Sequence, residues 1–360
     1  MVLASVPAAL ALFVLAGVVS AVLTWLALRY ARSRQLLDQP GHRRSHSLPT
    51  PRGGGVGIVL TLLLALPWLH WQEPLQPWAL ALALLLVAGI GWSDDHHPQP
   101  AWRRLAVHGV AASILLLVLV WSDARTQSVP IGWMLLASGV LLFWLVGCIN
   151  AWNFMDGSNG LLASQCLWLG LMLAAIFHWG AGAAVTASWL IWSLLLAGAC
   201  AGFLPFNFPR ARIFLGDVGS GALGLVCGVL LLVAVGLEPR RFWLLLILPS
   251  ALLVDAGMTL LSRIVAGRRW YTAHREHLYQ WLIRTGRSHA RVAAIYMGWN
   301  FLVVLPVAVL MEAWPEQAMI LSLFTLGLAM VTWWFGKRQL HAGWRRRRVQ
   351  HWASKVESSQ

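Results

Sequence analysis

The chain has 360 residues, 59% of them hydrophobic and 11% charged, with 23 tryptophans and a formal net charge of +14. A soluble domain of this length carries roughly twice that charged fraction, so the composition excludes an ordinary soluble protein and indicates a polytopic membrane protein. No polar stretch much exceeds about 30 residues, which leaves no room for a separate soluble domain.

Apolar runs of about 17–22 residues predict an all-α fold of roughly eleven membrane helices. The runs start near Val6, Gly54, Trp78, Leu105, Ile131, Gly160, Ala183, Val218, Phe242, Val292 and Gln317. The first, Val6 to Leu28, has no basic segment ahead of it and is long enough to span, so it reads as an anchor rather than a cleaved signal. With the N-terminus outside, the inner segments are 29–53, 93–104, 148–159, 204–217, 263–291 and 336–360, and they hold 24 of the 27 Lys and Arg residues. Only Arg125, Arg240 and Arg241 fall outside. This asymmetry predicts a periplasmic N-terminus and a cytoplasmic C-terminus. The run Arg345 to Arg348 then reads as a topology signal against anionic lipid headgroups, and no nucleic-acid partner is needed to explain the charge. The four cysteines lie in or beside apolar runs without a CxxC pair and read as small buried hydrophobes.

Carboxylates are the scarce resource, at 13 Asp plus Glu. Each costs several kcal/mol in hydrocarbon, so those beside membrane segments need a reason. Asp38, Asp94, Asp95, Asp156, Asp217, Asp255 and Glu276 all fall on the inner side or at inner helix ends.

The first inner segment, with His46 and then Pro49-Thr50-Pro51-Arg52-Gly53-Gly54-Gly55, offers a stiffened helix entrance whose N–H groups and Arg52 suit an anion. The second carries Asp94-Asp95-His96-His97 and leads to Arg103-Arg104. Adjacent carboxylates repel and attract a proton or a cation. Oxygen ligation suits Mg²⁺ or Mn²⁺, whereas no zinc-type spacing accompanies the two histidines. In the third, Asn150, Asn153, Asp156 and Asn159 crowd a helix junction, where amides read a base edge or sugar hydroxyls and Asp156 accepts from a ribose or binds metal. The fourth places Asp217 just before an apolar helix, after Arg210 and Arg212; it reads as a helix cap or as part of a phosphate site. In the fifth, His274 and His277 share a face if helical and together grip a phosphate.

Taken in order, PxPRGGG at 49–55, the Asp94-Asp95 pair, NxxNFMDG at 150–157, IFLGDxGS at 213–220 and HxxHLYQ at 274–280 resemble the polyprenyl-phosphate N-acetylhexosamine-1-phosphate transferase family over almost the whole chain. The resemblance implies transfer of a sugar-1-phosphate from a UDP-N-acetyl sugar to undecaprenyl phosphate, with release of UMP and a need for Mg²⁺. It implies residues 1–336 as a transmembrane catalytic domain with cytoplasmic active-site loops, followed by a basic cytoplasmic tail at 337–360. The site is expected on the cytoplasmic face of a bacterial inner membrane, with a homodimer left open. Asp217, Asp95 and Asp156 are the expected metal ligands, Asp94 the base with Asp95 beside it, and Asn150, Asn153, Asp156, Arg52, His46, His274 and His277 the substrate contacts. Two departures stand out: Ser158-Asn159 replaces the second acid of the usual DGxDG, and Glu276 sits inside an HxxH rather than a run of histidines. The second departure favours the WecA-like and WbpL-like O-antigen initiating branch over the phospho-N-acetylmuramoyl-pentapeptide transferases. A transporter or flippase would instead place its ionisable residues near the bilayer midplane.

Overall fold

The computed structural model describes residues 6–39, 49–68, 76–121, 128–179, 187–269, 272 and 274–357, with side chains described as far as residue 344. His46 and the side chains of Arg345 to Arg348 lie outside the described residues. The fold is helical: α1 Val6–Ser33, α2 Val56–Ala65, α3 Pro77–His96, α4 Ala101–Leu116, α5 Ile131–Met155, α6 Leu161–Trp179 and α7 Ala187–Asn207 are followed by α8 Asp217–Leu237, α9 Phe242–Ile247, α10 Ser250–Val265, α11 Leu278–Arg284, α12 His289–Trp299, α13 Leu305–Ala313 and α14 Ala318–Glu357. One small departure from the all-α expectation is a two-stranded antiparallel pair, β1 Leu37–Asp38 with β2 Thr50–Pro51, which closes the base of the first inner loop.

Among the described residues, nine helical segments are long and apolar enough to span a membrane. The expectation of about eleven spans is corrected in two places. The run beginning at Gly54 forms only the 10-residue α2, which at ~1.5 Å per residue falls well short of a bilayer core. The run beginning at Phe242 breaks at Pro249 into α9 and α10, bent by 72°. Proline has no N–H for the helix and its ring clashes with the preceding turn.

α8 is the central post. Its apolar window is 83% buried, against 17% for α1 and 11% for α5. α3 and α5 pack along it, while α7 lies against α1, α2 and α6. Exposed Trp78 and Trp133 at the starts of α3 and α5, Trp121 at the end of the π-helical turn that continues α4, and Trp314 just after α13 mark the ends that lie away from Asp95 and Asp217, as an interfacial aromatic belt does. Residue 336, where the basic tail is expected to begin, lies within the 40-residue α14. Beyond it, His341 packs on the Trp281 ring of α11 at 3.9 Å and Arg284 lies over the same ring at 4.2 Å.

The expectation that Asp255 marks a helix end is also corrected. It sits inside α10 at 2% exposure and joins four elements. Its carboxylate accepts the Leu278 N–H at 2.7 Å and the Tyr279 N–H at 3.3 Å, the Tyr296 hydroxyl at 2.7 Å and the Trp333 indole N–H at 2.9 Å. Asp255→Asn leaves some of these buried donors unmatched, at about 1–3 kcal/mol each. The expected outcome is a clearly lowered thermal midpoint of the detergent-solubilised protein, read by intrinsic tryptophan fluorescence.

Candidate active site

No proline falls within residues 78–97, so α3 continues through Asp94 and Asp95 and ends with the His97 N–H on the Ser93 carbonyl at 2.8 Å. The pair is therefore the last turn of a helix rather than an open loop. Likewise α4 begins after Pro100, so Arg103 and Arg104 belong to its first turn. This rigid corner aims Asp95 at the start of α8. Asp95, 4% exposed, accepts the backbone N–H groups of Asp217 and Val218 at 3.1 and 3.2 Å. These are orphan donors of the α8 N-terminus, satisfied here by a side chain from another helix.

Two glycines allow the approach. A Cβ at Gly91 would collide with the Asp217 carbonyl, and one at Gly216 with the Asp95 carboxylate. Gly216 also holds φ at 78°, a left-handed value that side chains disfavour. Arg52 completes the junction. Its Nε donates to the Asp95 carbonyl at 2.8 Å and lies 3.4 Å from the Asp95 carboxylate, and an Nη donates to the Asp94 carbonyl at 3.3 Å. Another Nη stands 3.7 Å from Asp38.

Around this junction lies a cleft of about 190 Å³, lined by Asp38, Arg52, Asp95, Asp156, Asn159, Asn207, Asp217, Arg275 and Gln280 among others. Four of the five predicted inner segments meet there directly through Arg52, Asp95, Asp156 and Asp217, and the fifth through Arg275 and Gln280. Asp156 follows the last residue of α5. Burial, then the facing charges of Asp217 and Asp95, push its carboxyl well above the usual range, against a hydrogen bond from the Gly216 backbone.

Other predicted residues are placed differently. Asp94 sits beside the cleft, its Oδ1 accepting the Gln99 N–H at 2.6 Å and its Oδ2 lying 3.3 Å from Arg104. Asn150 donates back to the Val146 carbonyl of its own helix at 2.7 Å, and Asn153 donates to the Ser220 hydroxyl at 3.0 Å. The first is spent on α5, and the second clamps α5 to α8. Neither lines the cleft.

His274 and His277 do not share a helical face, because α11 starts only at Leu278 with His277 as its cap residue. They meet through the bend of the loop instead, with rings 5.0 Å apart, and Phe154 packs on His277 at 6.0 Å. Burial, then His277 and Arg263, lower the His274 pKa to about 4, and burial lowers that of His277 as well. At pH 7 both rings are neutral hydrogen-bonding groups rather than cations.

Sequence reasoning passed over Arg104, Asn207, Arg275 and Gln280. Arg104 Nη1 lies 2.7 Å from Asp217 Oδ2, and Asn207 accepts the Gly160 N–H at 2.6 Å and donates to the Ile213 carbonyl at 3.0 Å. A signal for Arg104 was present, since Arg103-Arg104 directly follows the acidic pair. Asn159, standing where an acid is usual, faces the cleft and receives its own support, its N–H pointing to His289 Nδ1 at 3.3 Å.

Asp95, Asp156 and Asp217 bring only oxygen donors to the cleft. Among the described residues, no three His, Cys, Asp or Glu groups already converge as a ligand cage. Mg²⁺ usually needs only one or two carboxylates when substrate phosphates supply the rest, so this donor set fits Mg²⁺ or Mn²⁺.

A cleft of acids and arginines is the kind of site that handles phosphates, and known proteins narrow the class. Residues 77–235 match the Glycosyl transferase family 4 model. The chain is 33% identical over a 324-residue alignment, covering 79% of each chain, to the decaprenyl-phosphate N-acetylglucosaminephosphotransferase of Mycolicibacterium smegmatis. It is 33% identical over 209 residues, 58% of this chain and 60% of the other, to the undecaprenyl-phosphate alpha-N-acetylglucosaminyl 1-phosphate transferase of Thermotoga maritima. It is 31% identical over 228 residues, 55% of this chain and 66% of the other, to the phospho-N-acetylmuramoyl-pentapeptide-transferase of Lactiplantibacillus plantarum. The chain belongs to the polyprenyl-phosphate N-acetylhexosamine-1-phosphate transferase family and is an enzyme.

The depressed His274 carries a stability signature. Between pH 6.5 and about 4 the unfolded chain takes up a proton at this position that the folded chain refuses. Stability is therefore lost as the pH falls through that window. The thermal midpoint is expected to drop across it, and to drop less in His274→Asn.

Proposed function

We propose that the enzyme transfers an N-acetylhexosamine-1-phosphate from a UDP-sugar to undecaprenyl phosphate on the cytoplasmic face of a bacterial inner membrane. UMP leaves, and the lipid diphosphate sugar starts O-antigen or another envelope polysaccharide. The observation that carries this reading is the single cleft in which Arg52 and Arg275 face Asp95, Asp156 and Asp217 at one end of the bundle. The positive-inside distribution supports assigning that end to the cytoplasm. A cleft of about 190 Å³ lies below the ~300–1,000 Å³ of pockets that enclose a whole drug-sized ligand, which suits the charged centre of a nucleotide sugar.

A second, apolar groove of about 430 Å³ runs between α10, α12 and α14 and is lined by Val254, Leu278, Ile295, Trp299, Leu302 and Trp333. Its walls suit a prenyl chain. Relatives aligned over 79% of the chain are named for N-acetylglucosamine phosphate transfer, which supports an N-acetylhexosamine donor.

In this reading Asp217 and Asp156, with Asp95 beside them, would hold Mg²⁺ or Mn²⁺, which when bound neutralises the diphosphate charge. Asp95 stays committed to the α8 N-terminus and so keeps Asp217 in place. Asp94 accepts the proton of the lipid phosphate at Oδ2, the oxygen that Arg104 faces at 3.3 Å, while Oδ1 is held by the Gln99 N–H. The freed phosphate oxygen forms a bond to the β-phosphorus as the bond to the α-phosphate oxygen breaks, and UMP carries that oxygen away. Arg52, Arg275 and the neutral His274 and His277 orient phosphate oxygens by hydrogen bonding.

The test is UMP release by purified protein given undecaprenyl phosphate, Mg²⁺ and a panel of UDP-N-acetyl sugars. Turnover with at least one of them is expected, and silence with all of them sinks the reading. Asp217→Asn and Asp94→Asn are each expected to lower kcat by about 100-fold or more without lowering the thermal midpoint. Near-normal turnover in either removes that residue from the chemistry.

A further inference from the structure

We propose that Arg104 is the resident counter-ion of the acidic cleft, seated on Asp217 and Asp94 until a divalent cation displaces it from Asp217. The inference rests on the cation reading above and adds a competitor to it. One guanidinium nitrogen, Nη1, lies 2.7 Å from Asp217 Oδ2 and 3.3 Å from Asp94 Oδ2, so a single group bridges the end of α3 and the start of α8.

The neighbouring acids are fastened in other ways. Asp95 is spent on two backbone N–H groups and Arg52, and Asp94 Oδ1 on the Gln99 N–H. Asp217 is held instead by a side chain that is able to leave. Its own side chain is 29% exposed and that of Arg104 32%, so exchange needs no opening of the core.

Charge explains why something must sit there. Asp95, Asp156 and Asp217 line one cleft, and Asp94 stands beside it. A guanidinium stays charged at every accessible pH, which makes Arg104 a permanent internal cation. A divalent ion brings twice the charge to the same oxygen. The two cannot share Asp217 Oδ2 at bonding distance, so their binding is linked: each weakens the other by the same factor. Arg104 is thus a positioning residue. It keeps the cleft assembled between turnovers and sets the cation concentration at which the site fills.

The experiment uses full-length protein in detergent and Mn²⁺ as probe, with free Mn²⁺ read by electron paramagnetic resonance. Arg104→Gln is expected to bind Mn²⁺ at least about fivefold more tightly than wild type, within the range of coupling between contacting residues. Arg103→Gln removes an equal charge one residue away, from a guanidinium that lies over the Trp102 ring at 5.5 Å, and is expected to stay within about twofold of wild type. Arg104→Lys keeps the charge but loses the planar fork, and is expected to fall between wild type and Arg104→Gln. Mn²⁺ is also expected to raise the thermal midpoint of Arg104→Gln more than that of wild type, because that variant starts without its internal cation. Unchanged or weaker Mn²⁺ binding in both Arg104 variants overturns the proposal, as does an equal gain in Arg103→Gln, which would reduce the effect to net charge. If neither wild type nor Arg104→Gln binds Mn²⁺, the cation reading itself falls and takes this inference with it.

Discussion

The active-site end of the molecule depends on one interaction, the Asp95 carboxylate on the N-terminus of α8. Helix α3 ends where α8 begins, and each end carries backbone groups with no partner in its own helix. Asp95 receives two N–H groups of α8, while Arg52 donates to the Asp94 and Asp95 carbonyls at the end of α3. Negative charge thus meets the positive end of one helix dipole and positive charge the negative end of the other. Hydrogen bonds to charged groups contribute about 1.5–3 kcal/mol each, more than neutral ones, and they are directional. Asp217 is itself the first residue of α8, and Arg52 is placed by its grip on the end of α3.

Asp255 repeats the device at the other side of the site. It too is a buried carboxylate in one helix that receives the first N–H groups of another, here α11. The loop bearing His274, Arg275 and His277 is anchored by that contact, and Gln280 reaches the cleft from the first turns of α11. Away from bulk water, a helix start needs a fixed acceptor, and a carboxylate supplies two oxygens at once. Of the chain's 13 acids, two are committed to holding helix starts next to the cleft.

Legibility differed by kind of information. The hydrophobic runs, the charge asymmetry and the five polar segments were readable, because burial in lipid and retention of cations at one face act on composition. Arg52, Asp95, Asp156 and Asp217 from four of these segments line one cleft. Finer placement was not readable. Asn150 and Asn153, read as substrate contacts, stand on partners within the bundle. The spacing of His274 and His277 suggested a helix, but the chain bends there before α11 starts. The run at Phe242 looked like one straight span, yet Pro249 breaks it.

The sequence by itself determined that this is a helical membrane protein, which polar segments interrupt its apolar runs, and which family it joins. Those properties live in residue types and short spacings. Only the tertiary structure decided how the carboxylates divide their work: Asp95 and Asp255 to helix starts, Asp156 to the crowded interior of the cleft, and Asp217 to the reach of Arg104. A carboxylate's role depends on which donors lie within about 3 Å of its oxygens. Those donors come from helices far apart in the chain, such as Asp95 and Val218 or Asp255 and Tyr279.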